Sequence, residues 1–271
     1  MKIKLITDTG ADLLDEEIIK NNILVVNLAV TFNNIEFNDT LDVFWSNLID
    51  GKISKTSQPS PQAFINAFSS IKNDEIGLYI SLSSMLSGTY QTAMMVKEQN
   101  NYDNIYIIDS KLASIGQKEL VNKALELINK NLEINQIINE LELFKTKIKL
   151  IAALDSLKYL ARGGRISKTI ANFANILNLK VIISVTNEGI KLLSKAIGNN
   201  HATTKLIEYI NKENINKEYK IIPIYSYDNK NCQNFINKLN NNLVDKKMYP
   251  IGSTIGTHIG PYAFGVVFVE N

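Results

Sequence analysis

Four serines, a glycine and a threonine stand within nine residues, Ser81–Thr89. They follow a short apolar run, Ile76–Ile80, that reads as a buried strand, and they lead into Gly88–Gln99, which reads as a helix. A strand, a hydroxyl-rich turn and a helix N-terminus together describe an anion site. The first N–H groups of a helix have no intrahelical partners and sit at the positive end of its dipole. Serine hydroxyls add donors, and glycine lets a ligand reach the backbone. A plain serine N-cap accounts well for one of these hydroxyls, less well for four. Lys55–Pro61 (KTSQPSP) has the same chemistry, with Ser60 as an N-cap and Pro61 suited to the first helical position. A third stretch, Thr254–Gly260 (TIGTHIG), sets His258 between two glycines.

The elements that must position these residues alternate in the first half of the chain. Ile3–Thr7 reads as a strand, Asp8-Thr9-Gly10 as a turn, and Asp12 as the cap of a short helix through Lys20. Ile23–Phe32 is extended, and Asn33-Asn34 turns it into Ile35–Phe37. Helices are expected at Asp42–Asp50, Pro61–Ile71, Ser114–Lys130 and Ile134–Lys147, and a strand at Ile105–Ile108. This order predicts a parallel sheet with a ligand crevice at the strand C-termini. The second half differs. Asn187-Glu188-Gly189 makes a hairpin of Val181–Val185 and Ile190–Ser194, which predicts a mixed sheet. Asp155–Arg162, residues 167–177, Ala202–Asn214 and Asn231–Leu243 read as helices. Leu150–Leu154, Tyr219–Tyr225, Met248–Gly252 and Ala263–Val269 read as strands. The expectation is an α/β protein of two domains, 1–148 and 149–271, with the cut near Lys149.

The 271 residues are 45% hydrophobic and 21% charged, as in ordinary globular domains. A net charge of +2 gives a nucleic-acid partner no support. One cysteine, Cys232, cannot form an intrachain disulfide, so a reducing cytoplasm is expected. No apolar run approaches the roughly 18 residues that span a bilayer. With one Cys and two His, no zinc site is expected. His201, in the polar run Asn199-Asn200-His201, reads as a surface residue. The only two arginines, Arg162 and Arg165, flank Gly163-Gly164. Three residues apart, they could form a carboxylate- or phosphate-recognising surface, or simply end a helix at Gly163.

Five stretches in order, Thr7–Leu13 (TDTGADL), Thr56–Pro61 (TSQPSP), Ser83–Ala93 (SSMLSGTYQTA), Leu157–Ser167 (LKYLARGGRIS) and Thr257–Phe268 (THIGPYAFGVVF), resemble the DegV family. In bacteria that family includes the fatty-acid-binding subunits of fatty acid kinase. The resemblance implies a two-domain DegV-like fold, one domain with a mainly parallel sheet and one with a mixed sheet, with a long-chain, palmitate-like fatty acid between them. It implies that Thr56, Ser57, Ser87, Gly88 and His258 hold the carboxylate. It also implies that the acid is presented to a separate ATP-binding kinase, which forms an acyl phosphate for phospholipid metabolism. The chain itself would be a non-catalytic lipid-binding subunit without cofactor or metal, in transient contact with membrane. Arg162 and Arg165 are then candidates for docking the kinase. Three positions depart from the family pattern. The segment Ser194–Asn200 carries no arginine, Val181 follows Lys180 where proline is common, and Tyr262 stands where glycine is usual.

Two other chemistries fit the same residues. A serine hydrolase or acyltransferase would use Ser87, His258 and Asp8 or Asp109. Against it, Met85 stands where the nucleophile elbow needs glycine. For both aspartates, turn and cap chemistry is the better reading. A phosphate or sugar-phosphate binder would use the same helix N-termini in a polar cavity. No GxxxxGK[ST] loop and no GxGxxG fingerprint is present.

Overall fold

The computed structural model describes residues 2–166 and 178–271, so the helix expected over 167–177 lies outside the described residues. The chain forms two compact units, 1–29 with 56–146 and 30–55 with 147–271. A single cut near Lys149 therefore misplaces residues 30–55, which join the second unit. The reason is apolar packing: Val30, Phe32, Phe44, Trp45 and Leu48 form one buried cluster with Tyr159.

In the first unit, β1 (Lys2–Asp8), β2 (Leu24–Val26), β6 (Glu75–Ser81) and β7 (Ile105–Asp109) make a wholly parallel sheet of order β2-β1-β6-β7. Strands β2, β6 and β7 are mostly apolar, as a sheet covered on both faces requires. Ile6, Tyr79 and Ile105 pack with Phe64 and Phe68 of α3 (Pro61–Ser69) and Ala93 and Val96 of α4 (Thr89–Gln99). Helix α5 (Ile115–Asn129) also contacts β1 and β6, and buries Leu120, Val121, Ala124 and Leu127. The order of connections reverses between β1 and β6, so their C-terminal ends, together with that of β7, are where a ligand crevice belongs in such sheets. Ser81 is in register with Asp109 there. The remaining helices are α1 (Asp15–Asn21) and α6 (Ile134–Lys147). A groove of about 540 Å³, lined by Lys2, Ile3, Tyr106 and Leu132 among others, opens toward the opposite, N-terminal ends of these strands.

The second unit holds a six-stranded mixed sheet of order β10-β9-β8-β13-β11-β12. Its strands are β8 (Ile148–Leu154), β9 (Leu179–Thr186), β10 (Gly189–Ile197), β11 (Ile222–Tyr225), β12 (Tyr249–Pro250) and β13 (Phe264–Val269). The expected hairpin is β9–β10, and only β11–β12 is parallel. Helices α8 (Gly198–Ile210) and α9 (Lys230–Leu239) cover it through Leu206, Phe235 and Leu239. His201 lies in the first turn of α8 rather than in a loop, and is exposed. Strand β10 continues to Ile197, so the segment expected after the hairpin is part of its edge strand. A small sheet of β3 (Ala29–Phe32), β4 (Ile35–Glu36) and β5 (Ser54–Ser57) packs with α2 (Leu41–Ile49). Two short helices, α7 (Lys158–Gly163) and α10 (Ser253–Ile259), carry the remaining motifs.

Candidate functional site

In the first unit the TSQPSP and SGT stretches meet. Thr56 and Ser57 end β5, Thr56 half-buried and Ser57 exposed. Ser60 caps α3 by accepting the Ala63 N–H at 3.2 Å, with Pro61 in its first turn. The loop after β6 is a rigid turn: the Leu86 and Ser87 N–H groups donate to the Ser83 carbonyl at 3.0 and 3.1 Å, and the Ser83 N–H donates to Leu112 O. Gly88 is the N-cap of α4 and offers no side-chain cap. Ser87 Oγ and Thr89 Oγ1 lie 2.7 Å apart, and the Thr89 N–H donates to Ser87 Oγ at 3.3 Å. With Thr89 Oγ1 as donor, Ser87 Oγ accepts twice, and its own proton is left to donate outward from the helix N-terminus. A half-buried hydroxyl donor at the positive end of a helix matches a carboxylate or phosphate oxygen.

Asp8 anchors these loops from below. It is 1% exposed. Its carboxylate accepts from Tyr79 Oη at 2.7 Å, Leu82 N at 2.8 Å, Gly10 N at 2.9 Å and Gln117 Nε2 at 3.2 Å. Burial pushes the Asp8 carboxyl up, and these four donors pull against it. The cap role expected for Asp8 is present, since it caps the short turn Thr9–Ala11. Asp12, expected to cap the next helix, instead sits in a left-handed conformation (φ 49°) and accepts the Ser114 hydroxyl at 2.6 Å. Asp109 Oδ1 accepts the Ser84 and Lys111 N–H groups at 3.1 Å, and Oδ2 pairs with Lys111 Nζ at 2.7 Å. Burial raises its pKa, but those contacts outweigh it and hold the carboxyl below its usual range. Both aspartates thus serve the loops. Both histidines of the chain belong to the second unit, so no Ser-His-Asp triad forms within the first.

In the second unit, α7 and α10 bring Gly163 and His258 together: a Cβ at residue 163 would stand 3.0 Å from His258 Cε1. The left-handed stop of α7 is Gly164 (φ 73°), not Gly163 as expected. Arg165 Nη1 donates to the Gly163 carbonyl, and the Arg165 N–H donates to Leu160 O at 3.1 Å. The exposed Arg162 lies over the Tyr159 ring at 5.8 Å. Ser226, fully buried, receives the Ala263 N–H and donates to the Gly260 carbonyl, both at 2.8 Å, and so fixes the loop after His258. Tyr262 has φ 65°. That conformation costs a side-chain residue about 1–2 kcal/mol. Its ring meets that of Tyr227 edge-on at 5.3 Å, an offsetting contact of about 1 kcal/mol.

His258 is half-buried, and burial, with the Arg165 charge second, pushes its pKa down to about 4. It is a neutral imidazole at pH 7. Because the unfolded chain takes up this proton near pH 6.5 and the folded chain does not, stability falls as pH drops from 6.5 toward 4. The 2.5-unit interval between 6.5 and about 4 corresponds to about 3 kcal/mol. His258→Gln is expected to flatten that part of the profile in urea unfolding at stepped pH. A variant profile as steep as that of the native chain would show that His258 titrates freely.

Gln58, Thr92 and Ser226 escaped the sequence reading. Gln58 stood inside a quoted motif, but nothing local marks which neighbour its amide meets. Among the described residues, no group of three or more His, Cys, Asp or Glu is placed to hold a metal, and no helix is long and apolar enough to cross a membrane. Cys232 is buried, and burial pushes its thiol up to about 12.

The model of a family described as "Uncharacterised protein, DegV family" matches residues 2–271. The chain is 30% identical to a DegV domain-containing protein of Caldanaerobacter subterraneus subsp. tengcongensis, over 99% of both chains. Among solved structures it is similar to DegV, a fatty acid binding protein from Bacillus subtilis, with a TM-score of 0.85, 25% identity and 100% of both chains covered. It is also similar to a protein of Thermotoga maritima whose structure reveals a fatty acid binding function, with a TM-score of 0.84, 26% identity and 99% of both chains covered. With the parallel and mixed sheets described above, these matches place the chain in the DegV family.

Proposed function

We propose that this protein binds a long-chain fatty acid and presents its carboxylate to a separate fatty acid kinase, which makes the acyl phosphate used in phospholipid metabolism. The observation that carries the reading is the Ser87–Thr89 hydroxyl pair at the N-terminus of α4, in a family whose solved members from B. subtilis and T. maritima bind fatty acids. Thr56, Ser57, Ser87 and the Gly88 backbone supply head-group donors. His258 is proposed as a further head-group contact on the strength of the family resemblance. A carboxylate leaving water needs such donors. The tail supplies most of the affinity, at roughly 0.8 kcal/mol per buried CH₂. The protein acts as a carrier in the cytoplasm and leaves ATP chemistry to its partner.

Arg162 and Arg165 are proposed to dock that partner, since an arginine fork suits acidic groups. Arg162 is the more exposed residue, and Arg165 is tied to its own turn. Oleate titration and coupled acyl-phosphate turnover with the cognate kinase separate the roles. Arg162→Ala and Arg165→Ala are each expected to bind oleate as the native chain does and to lose turnover severalfold. Parallel loss of binding and turnover would contradict docking.

A further inference from the structure

Gln58 follows the two hydroxyl residues of β5, yet its side chain belongs to the first turn of α4. Its Nε2 donates to Thr92 Oγ1 at 2.7 Å. Its Oε1 and Cδ lie over Gly88, with Cδ 3.2 Å from where a Cβ would stand, and Oε1 is closer still. Thr92 is 7% exposed, and its N–H donates to the Gly88 carbonyl at 3.0 Å. The amide therefore spans one helical turn, from Gly88 to Thr92, and ties the end of β5 to the N-terminus that carries Ser87 and Thr89. Any side chain at residue 88 would displace it. A terminal amide also suits this place better than a carboxylate would. It supplies the donor that Thr92 accepts, and it brings no negative charge to a helix N-terminus meant for an anion.

We propose that Gln58 is a positioning residue: it fixes the spacing between the Thr56–Ser57 and Ser87–Thr89 hydroxyls, so that the chain selects a carboxylate head group over an uncharged head on the same tail. The proposal rests on the fatty-acid reading above. Its consequence is selective, because a misplaced donor pair weakens recognition of the head and leaves the tail's contribution unchanged.

The test is titration of the full chain, and of Gln58→Ala, Thr92→Val and the double variant, with oleate and with oleyl alcohol. Each single variant is expected to bind oleate about tenfold more weakly, the range expected for one disturbed hydrogen bond to a charged group. The double variant is expected to be no weaker than the weaker single one, because both remove the same tie. Oleyl alcohol is expected to bind all four chains alike. Should Thr92→Val fail to fold, Gln58→Met takes its place, keeping the side-chain length without the donor, with the same selective loss expected. Unchanged oleate affinity in Gln58→Ala, parallel loss of oleate and oleyl alcohol, or additive single effects would overturn the role of Gln58 while leaving the fatty-acid reading intact. A native chain that binds neither ligand overturns that reading and this one with it.

Discussion

Gly260→Ala is expected to destabilise the protein by about 3 kcal/mol or more, lowering its melting temperature by roughly 6–12 °C. Two costs add at this residue. Its backbone has φ 75° and ψ −178°, a region that side-chain residues avoid. A Cβ there would also run into the Tyr159 ring, 2.9 Å from Cγ and closer still to Cδ2 and Cε2. Tyr159 cannot swing away freely, because it is buried in the cluster with Phe44 and Trp45. Gly164→Ala is the matched comparison. Its φ is 73°, but nothing stands within 4 Å of the added carbon. Only the left-handed strain applies there, about 1–2 kcal/mol. Thermal unfolding of the two variants side by side measures the difference. Equal losses would mean that the tyrosine yields and the close approach of Gly260 is unimportant.

Thr56→Ala combined with Ser87→Ala is expected to weaken fatty-acid binding by about a hundredfold or more without unfolding the chain. Each hydroxyl lost from a charged acceptor removes roughly 1.5–3 kcal/mol. Two such losses give about 3–6 kcal/mol, and every 1.4 kcal/mol is tenfold in affinity. Binding is not abolished, since a long tail still contributes about 10 kcal/mol by burial. The fold survives because Thr89, not Ser87, is the fully buried member of the hydroxyl pair. Oleate titration of the double variant, alongside circular dichroism, measures both parts. Affinity equal to that of the native chain would place the head group elsewhere.

Local signals carried much of this architecture. Ser60-Pro61 marks the start of α3 because cap and proline geometry are properties of a few adjacent residues. The Asn187-Glu188-Gly189 turn marks the β9–β10 hairpin for the same reason. The alternation of strand and helix up to Lys147 was enough to imply a parallel sheet. What stayed hidden depends on contacts between distant residues. Tyr79 and Gln117 reach Asp8 from 71 and 109 residues away, and neither belongs to a recognisable pattern. Residues 30–55 join the second unit because Phe32, Phe44 and Trp45 find Tyr159, more than a hundred residues on. The two glycines after Arg162 look alike in sequence. Only the packing of His258 on one and the positive φ of the other assign their separate tasks. The hydroxyl-rich turns stand out in the sequence, whereas the amide of Gln58 that joins them does not.

The central claim is that this chain carries a long-chain fatty acid. Mass spectrometry of the lipid extracted from protein purified without added lipid tests it most directly. One long-chain acyl carboxylic acid per chain is the expected result, with the amount falling sharply in Thr56→Ala plus Ser87→Ala. Extracts that repeatedly contain no acyl chain, from protein that also fails to take up added oleate, would contradict it.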